Sequence, residues 1–115
     1  MSAPPADQLL FTYGTLQDAE VQLDTFGRLL AATADTLPGY TIDYVEIDDP
    51  RVGDVTGPSV HPVLRATGNV LDKVVGAAVF LTADELDAAD EYELSLHRRV
   101  RARLSSGHDA WVYVS

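Results

Sequence analysis

The sequence predicts an α+β domain with a curved, largely antiparallel or mixed sheet. Three observations predict it: several short segments carry strand character, only two carry helical character, and the chain closes with a hairpin pattern. A doubly wound fold would need more helices. At 115 residues the chain is long enough for one hydrophobic core and too short for a second domain.

Residues 1–8 are small and polar with Pro4 and Pro5 in tandem, and they read as a loose tail ahead of a single domain over 9–115. Leu9-Leu10-Phe11-Thr12-Tyr13 is an apolar run that reads as a buried strand, broken by a tight turn at Tyr13-Gly14-Thr15-Leu16. A helix is expected after Gln17 and Asp18, with Val21, Leu23, Phe26, Leu29 and Leu30 approximating one face, although Gly27 weakens it. Leu37-Pro38-Gly39 is a break, and residues 40–47 then alternate as a half-buried strand. Residues 48–57 have no period and continue through Pro58-Ser59-Val60-His61-Pro62 as a long loop, of the length that often serves as a functional or mobile segment. A short strand is expected at 63–66 and a turn at 68–72. The near-continuous apolar run 74–81 reads as a strand buried on both faces.

Thr82-Ala83-Asp84-Glu85 is a capping box, with Leu81 and Leu86 at the positions of a hydrophobic staple, and it predicts a helix over 83–91. That helix delivers Tyr92 and Glu93 to a junction. Val100, Ala102 and Leu104 then alternate with Arg99, Arg101 and Arg103 as an amphipathic strand over 98–104. Ser105-Ser106-Gly107-His108 is a hairpin turn, and 110–114 is the closing strand.

Composition narrows the function. The net charge of -10, from 18 acidic against 8 basic residues, argues against nucleic acid or an anionic membrane as partner. There is no cysteine, which removes disulfides, thiolate catalysis and thiolate metal sites. No apolar run approaches a bilayer-spanning length and no secretory pattern opens the chain, so a soluble cytoplasmic protein is expected.

Two places attract chemistry. At the turn, Gly14 opens backbone angles closed to other residues and lets a ligand approach the main chain, and Thr15 adds a hydroxyl. A four-residue pattern with one glycine is, on its own, more often a strand-to-helix connection, and without a following lysine or second glycine it is no phosphate loop. The second place is Glu93. Asp87, Asp90 and Glu91 lie within the helix and read as a solvated face, whereas Glu93 sits between Tyr92 and Leu94, where semi-apolar neighbours suit a general base. The alternating arginines read as a solvent-facing strand surface set against acids, with an anion site as the lesser account. His61, His97 and His108 lack metal-ligand spacing, and no serine sits in a nucleophile elbow.

Leu10-Phe11-Thr12-Tyr13-Gly14-Thr15-Leu16, the strand with Val75-Gly76, the stretch Leu81-Thr82-Ala83-Asp84-Glu85-Leu86, and Asp90-Glu91-Tyr92-Glu93 followed by His97-Arg98-Arg99-Val100 form one ordered set. With it the chain resembles the gamma-glutamylcyclotransferase-like proteins, including the AIG2-like and gamma-glutamylamine cyclotransferase branches, from about residue 9 to 114. The resemblance implies a small mixed β-barrel flanked by helices. It also implies a cavity lined by the turn and closed by the glutamate, and conversion of a γ-glutamyl amine or peptide to 5-oxoproline and free amine without a cofactor. Carried over by position, Glu93 matches the catalytic glutamate, and the backbone of Tyr13, Gly14, Thr15 and Leu16 matches the substrate-holding loop. Tyr113 matches an aromatic position near the family's C-terminus. His97 and His61 stand where tyrosine is common, which bears on substrate specificity. A binding module that keeps the cavity for a small acidic metabolite without turnover is the alternative, and a structural domain with a vestigial pocket is a third. The substrate's amine side, the oligomeric state and a lid role for 48–62 stay open.

Overall fold

The computed structural model describes residues 5–47, 59–92 and 98–114. Its strands are β1 (Gln8–Thr12), β2 (Ala32–Pro38), β3 (Tyr40–Ile47), β4 (Ser59–Ala66), β5 (Lys73–Leu81), β6 (Arg98–Arg103) and β7 (Asp109–Val114). Its helices are α1 (Ala19–Phe26) and α2 (Ala83–Tyr92), and a single 3-10 turn over Thr15–Gln17 links β1 to α1. The α+β class and the mixed sheet agree with the sequence.

The sheet runs β2-β5-β1-β7-β4-β3, with β6 paired to β7. β1 is antiparallel to β5, from Gln8 opposite Leu81 to Thr12 opposite Ala77, and parallel to β7 at Leu10 and Trp111. β7 also meets β4 in parallel at Leu64 and Val114. The implied barrel is not closed. β2 and β3 stand at the two ends of the order, joined only through Gly39. Gly39 takes φ +84°, donates its amide to the Asp72 carbonyl at 2.8 Å and accepts from the Thr67 amide at 2.9 Å. The backbone there is spent on the 67–72 turn, so β2 passes into β3 without laddering against it.

Packing divides into two clusters on opposite faces. Along β1, Phe11 faces a cluster with Leu37, Leu64 and Val112, whereas Leu10 faces the helices with Leu81, Leu86 and Tyr113. The same alternation along β7 sends Val112 one way and Tyr113 the other, so β1 and β7 are covered on both faces. That property was expected of β5, and β5 does not have it: Val75 is 78% and Phe80 55% exposed. Val74 and Ala78 serve the first cluster and Val79 and Leu81 the second. β5 therefore uses its two faces in turn along its length, which writes the same continuous apolar run as simultaneous burial.

Other differences have local causes. β2 carries no strand pattern in the sequence because Leu37 is its one buried residue, as befits an edge strand. β4 starts at Ser59, earlier than residue 63, and pairs with β3 as far as Ser59 opposite Ile47. Val21 and Phe26 on α1 and Leu30 beyond it pack against the helix-side cluster, but Leu23 is half exposed, and Leu29 also lies beyond the helix and is exposed. Gly27 ends the helix, taking φ +73° and donating to the Leu23 carbonyl at 3.0 Å. On α2 both arms of the capping box form, Glu85 amide to Thr82 Oγ1 at 3.1 Å and Thr82 amide to Glu85 Oε1 at 2.9 Å. The hairpin turn at 105–108 closes with the Leu104 amide on the His108 carbonyl at 2.9 Å. Of the expected tail, residues 1–4 lie outside the described residues, as do 48–58 of the long loop.

Candidate functional site

The turn that ends β1 is fixed from below and from the side. The Gln17 amide donates to the Gly14 carbonyl at 3.1 Å, which closes the 3-10 turn containing Thr15 and Leu16. Leu16 is buried in the helix-side cluster. Its carbonyl accepts Gln22 Nε2 at 2.9 Å, while Gln22 Oε1 accepts the Leu30 amide at 3.0 Å. Gln22 is only 6% exposed and both ends of its amide are used, so a buried polar side chain holds the turn to α1. Apolar periodicity cannot find such a residue.

Gly14 differs from the expectation. Among the described residues the glycines with positive φ are Gly27, Gly39, Gly68 and Gly107, so Gly14 uses no angle reserved for glycine. A Cβ added there would meet only Pro62 Cγ, at an ordinary 3.6 Å. Neither conformation nor packing among the described residues requires glycine at this position. Among the described residues its amide donates no hydrogen bond.

Tyr13 connects the turn to the last strand. Its hydroxyl donates to the Tyr113 carbonyl oxygen at 2.9 Å. Tyr113 is 4% exposed, and its own hydroxyl donates to Asp90 Oδ1 at 2.7 Å. Arg99 grips the same carboxylate with Nε to Oδ1 at 2.9 Å and Nη2 to Oδ2 at 3.0 Å, a bidentate fork. The Arg99 guanidinium also lies 4.3 Å from the Trp111 ring centre, and that of Arg101 lies 4.4 Å from it. The structure thus brings together Tyr13, Gly14, the 3-10 turn and Tyr113. Glu93 and His97 lie outside the described residues.

Asp90 does not belong to the solvated face that the helix sequence suggests. Asp87 and Glu91 are exposed and fit that reading, but Asp90 is half-buried and bonded on both oxygens. The signal was available: Asp90 is four residues after Leu86 and next to Ala89, both buried, and so falls on the packed stripe of α2.

The remaining candidates are structural. Arg103 pairs with Asp109 at 3.1 Å on the surface, in keeping with arginines set against acids. At the hairpin tip Ser106 Oγ donates to Asp35 Oδ2 at 2.5 Å and lies 3.0 Å from His108 Nδ1. The serine stands between the other two on an exposed turn, which is not a nucleophile–base–acid relay. Partial burial pushes the Asp35 carboxyl up. The Ser106 hydroxyl, the Thr36 and Ser106 amides and nearby His108 outweigh that and hold it below its ordinary value. Among the described residues no group of three or more His, Asp or Glu could hold a metal ion. Among the described residues no helix is long and apolar enough to cross a membrane.

Residues 10–115, which include the whole turn and Tyr113, match the family model described as gamma-glutamyl cyclotransferase, AIG2-like. The chain belongs to the AIG2-like gamma-glutamyl cyclotransferase family. No curated protein matches this AIG2-like chain by sequence. Among solved structures it is similar to a solution structure of an Arabidopsis thaliana protein, with TM-score 0.70 and 21% identity over 93% of this chain and 67% of that one. It is also similar to the crystal structure of an uncharacterized Homo sapiens protein, with TM-score 0.72 and 14% identity over 96% of this chain and 67% of that one. A third is a gamma-glutamyl cyclotransferase, with TM-score 0.63 and 16% identity over 93% of this chain and 65% of that one. At these identities the likeness is one of fold. This AIG2-like chain spans about two thirds of the length of each of those proteins.

Proposed function

We propose that this chain is a cofactor-free γ-glutamyl cyclotransferase that converts a γ-glutamyl amine or peptide to 5-oxoproline and the free amine, with Glu93 as general base. The observation that carries the reading is the family match over 10–115, which runs through both the Tyr13–Leu16 turn and position 93. Gly14 supports it, being a glycine that neither angle nor packing demands, beside a fixed turn.

The substrate's α-amine is protonated near neutral pH and has no free electron pair. Glu93 takes a proton from it, and the nitrogen then attacks the γ-carbonyl carbon to form the new C–N bond of a five-membered ring. Charge develops on the carbonyl oxygen, and the main-chain amides of Gly14, Thr15 and Leu16 steady it or hold the substrate's carboxylate. The attacking nitrogen sheds a second proton as it becomes the lactam N–H, and the two protons end on the departing amine as the old C–N bond breaks. No water is consumed and no electron changes hands. Ring closure needs a folded substrate, and a turn held by Gln22 and Tyr113 supplies a rigid surface for that. The acidic balance and lack of cysteine support a small-molecule substrate in the cytoplasm over a nucleic acid or a membrane.

Incubating the protein with a panel of γ-glutamyl amines and peptides and assaying 5-oxoproline tests the proposal. Turnover of at least one compound is expected. Absence of product from every compound overturns it, and retained binding of one of them would then mark a metabolite-binding module.

A further inference from the structure

The Asp90 carboxylate joins three elements, α2, β6 and β7. It stands on the last turn of α2, receives the Arg99 fork from the start of β6, and receives the Tyr113 hydroxyl from β7. Tyr113 passes the connection on, because its carbonyl takes the Tyr13 hydroxyl at the first residue of the turn. The chain of bonds therefore runs Arg99, Asp90, Tyr113, Tyr13. In sequence, positions 90 and 99 also bracket Glu93.

The chemistry is more specific than packing requires. Tyr113 lies among the apolar residues of the helix-side cluster, where phenylalanine would fill the same space without a hydroxyl to satisfy. A hydrogen bond to a carboxylate is directional and charge-assisted, so it sets an angle that apolar contact leaves loose. Arg99 supplies the opposite charge, with side-chain exposure of 24% against 36% for Asp90.

We propose that Asp90 is a positioning residue for the active site, acting through the Tyr113 hydroxyl on the Tyr13 turn with Arg99 holding its charge. The proposal rests on the cyclotransferase reading. Its test is to measure 5-oxoproline formation and thermal unfolding for the wild type, Asp90→Asn, Tyr113→Phe, the double variant and Arg99→Lys. Asp90→Asn and Tyr113→Phe should each lower kcat about tenfold with KM changed less than about twofold, as expected for a lost charged hydrogen bond felt in the transition state. The double variant should be no slower than the slower single variant, because both act through one bond. Arg99→Lys, which keeps the charge and loses the fork, should fall between. A lower Tm with unchanged kcat per folded molecule would assign the cluster a structural role only and overturn the proposal. Multiplying losses in the double variant would overturn it as well. If Asp90→Asn does not fold, Tyr113→Phe removes a single oxygen and carries the test. A wild type that forms no 5-oxoproline removes the cyclotransferase reading and this proposal together, whereas an active wild type with unaffected variants removes this proposal alone.

Discussion

Gly76, on β5 against the end of β1, and Gly14, just past that end, are glycines for different reasons. A Cβ on Gly76 would overlap the Thr12 carbonyl oxygen and sit 2.7 Å from Phe11 Cζ, so β5 could not approach β1 as it does. Among the described residues a Cβ on Gly14 would touch only Pro62 Cγ, at 3.6 Å. Packing explains the first and, among the described residues, does not explain the second, for which the proposed function supplies a ligand's approach to the main chain. The fold therefore accounts for Gly76 by packing, while the proposed function accounts for Gly14 by a ligand's approach.

Substitution breaks or sharpens that contrast. Gly76→Ala should have the largest effect on stability, about 3 kcal/mol, because backbone as well as Phe11 must shift to admit the methyl group. Urea unfolding measures it, and a midpoint equal to the wild type's would refute the close approach. Gly14→Ala should instead leave the protein as stable or gain about 0.5 kcal/mol, since the added residue restricts the unfolded chain at a compatible angle. The same variant should lose about tenfold or more in kcat/KM for a γ-glutamyl substrate, the scale of one misplaced methyl group in a pocket. Full activity in Gly14→Ala would remove the turn from the site.

The smallest effects belong to the hairpin tip, far from either glycine in role. Ser106→Ala should cost less than about 1 kcal/mol, because the bonds to Asp35 are exposed to water. Asp35 has a folded-state pKa below its ordinary value of 3.8, so its contribution is complete above that value and is lost as pH falls through the lower folded one. Glu85, held down first by the Arg28 fork and further by the Thr82 amide, behaves with the same sign. Thermal unfolding across acidic pH should therefore separate Asp35→Asn from the wild type at neutral pH and bring them together in strong acid. The 5-oxoproline assay should not distinguish Ser106→Ala from the wild type at neutral pH.

Local signals were the legible ones. Thr82 and Glu85 are three residues apart and bond each other, and Gly107 turns a short hairpin between patterned strands, so their geometry is written in adjacent letters. The strand from Leu9 into Tyr13 was legible because it is apolar on both faces. β2 was not, since an edge strand exposes most of its side chains, and β5 was misread because it changes its buried face between Ala78 and Val79. Gln22 and Asp90 were missed for a related reason. Each is polar, so a search for apolar periodicity passes over it, yet each occupies a packed stripe where its bonds reach residues on other elements. The turn was legible from its glycine and Tyr113 from the family pattern, and their union through the Tyr13 hydroxyl is a tertiary fact that no spacing encodes.

The measurement closest to the central claim is 5-oxoproline release by the wild type and by Glu93→Gln, run side by side with urea unfolding of both. The account predicts turnover by the wild type, loss of turnover in Glu93→Gln and matching unfolding midpoints. Near-normal turnover in the glutamine variant would contradict it.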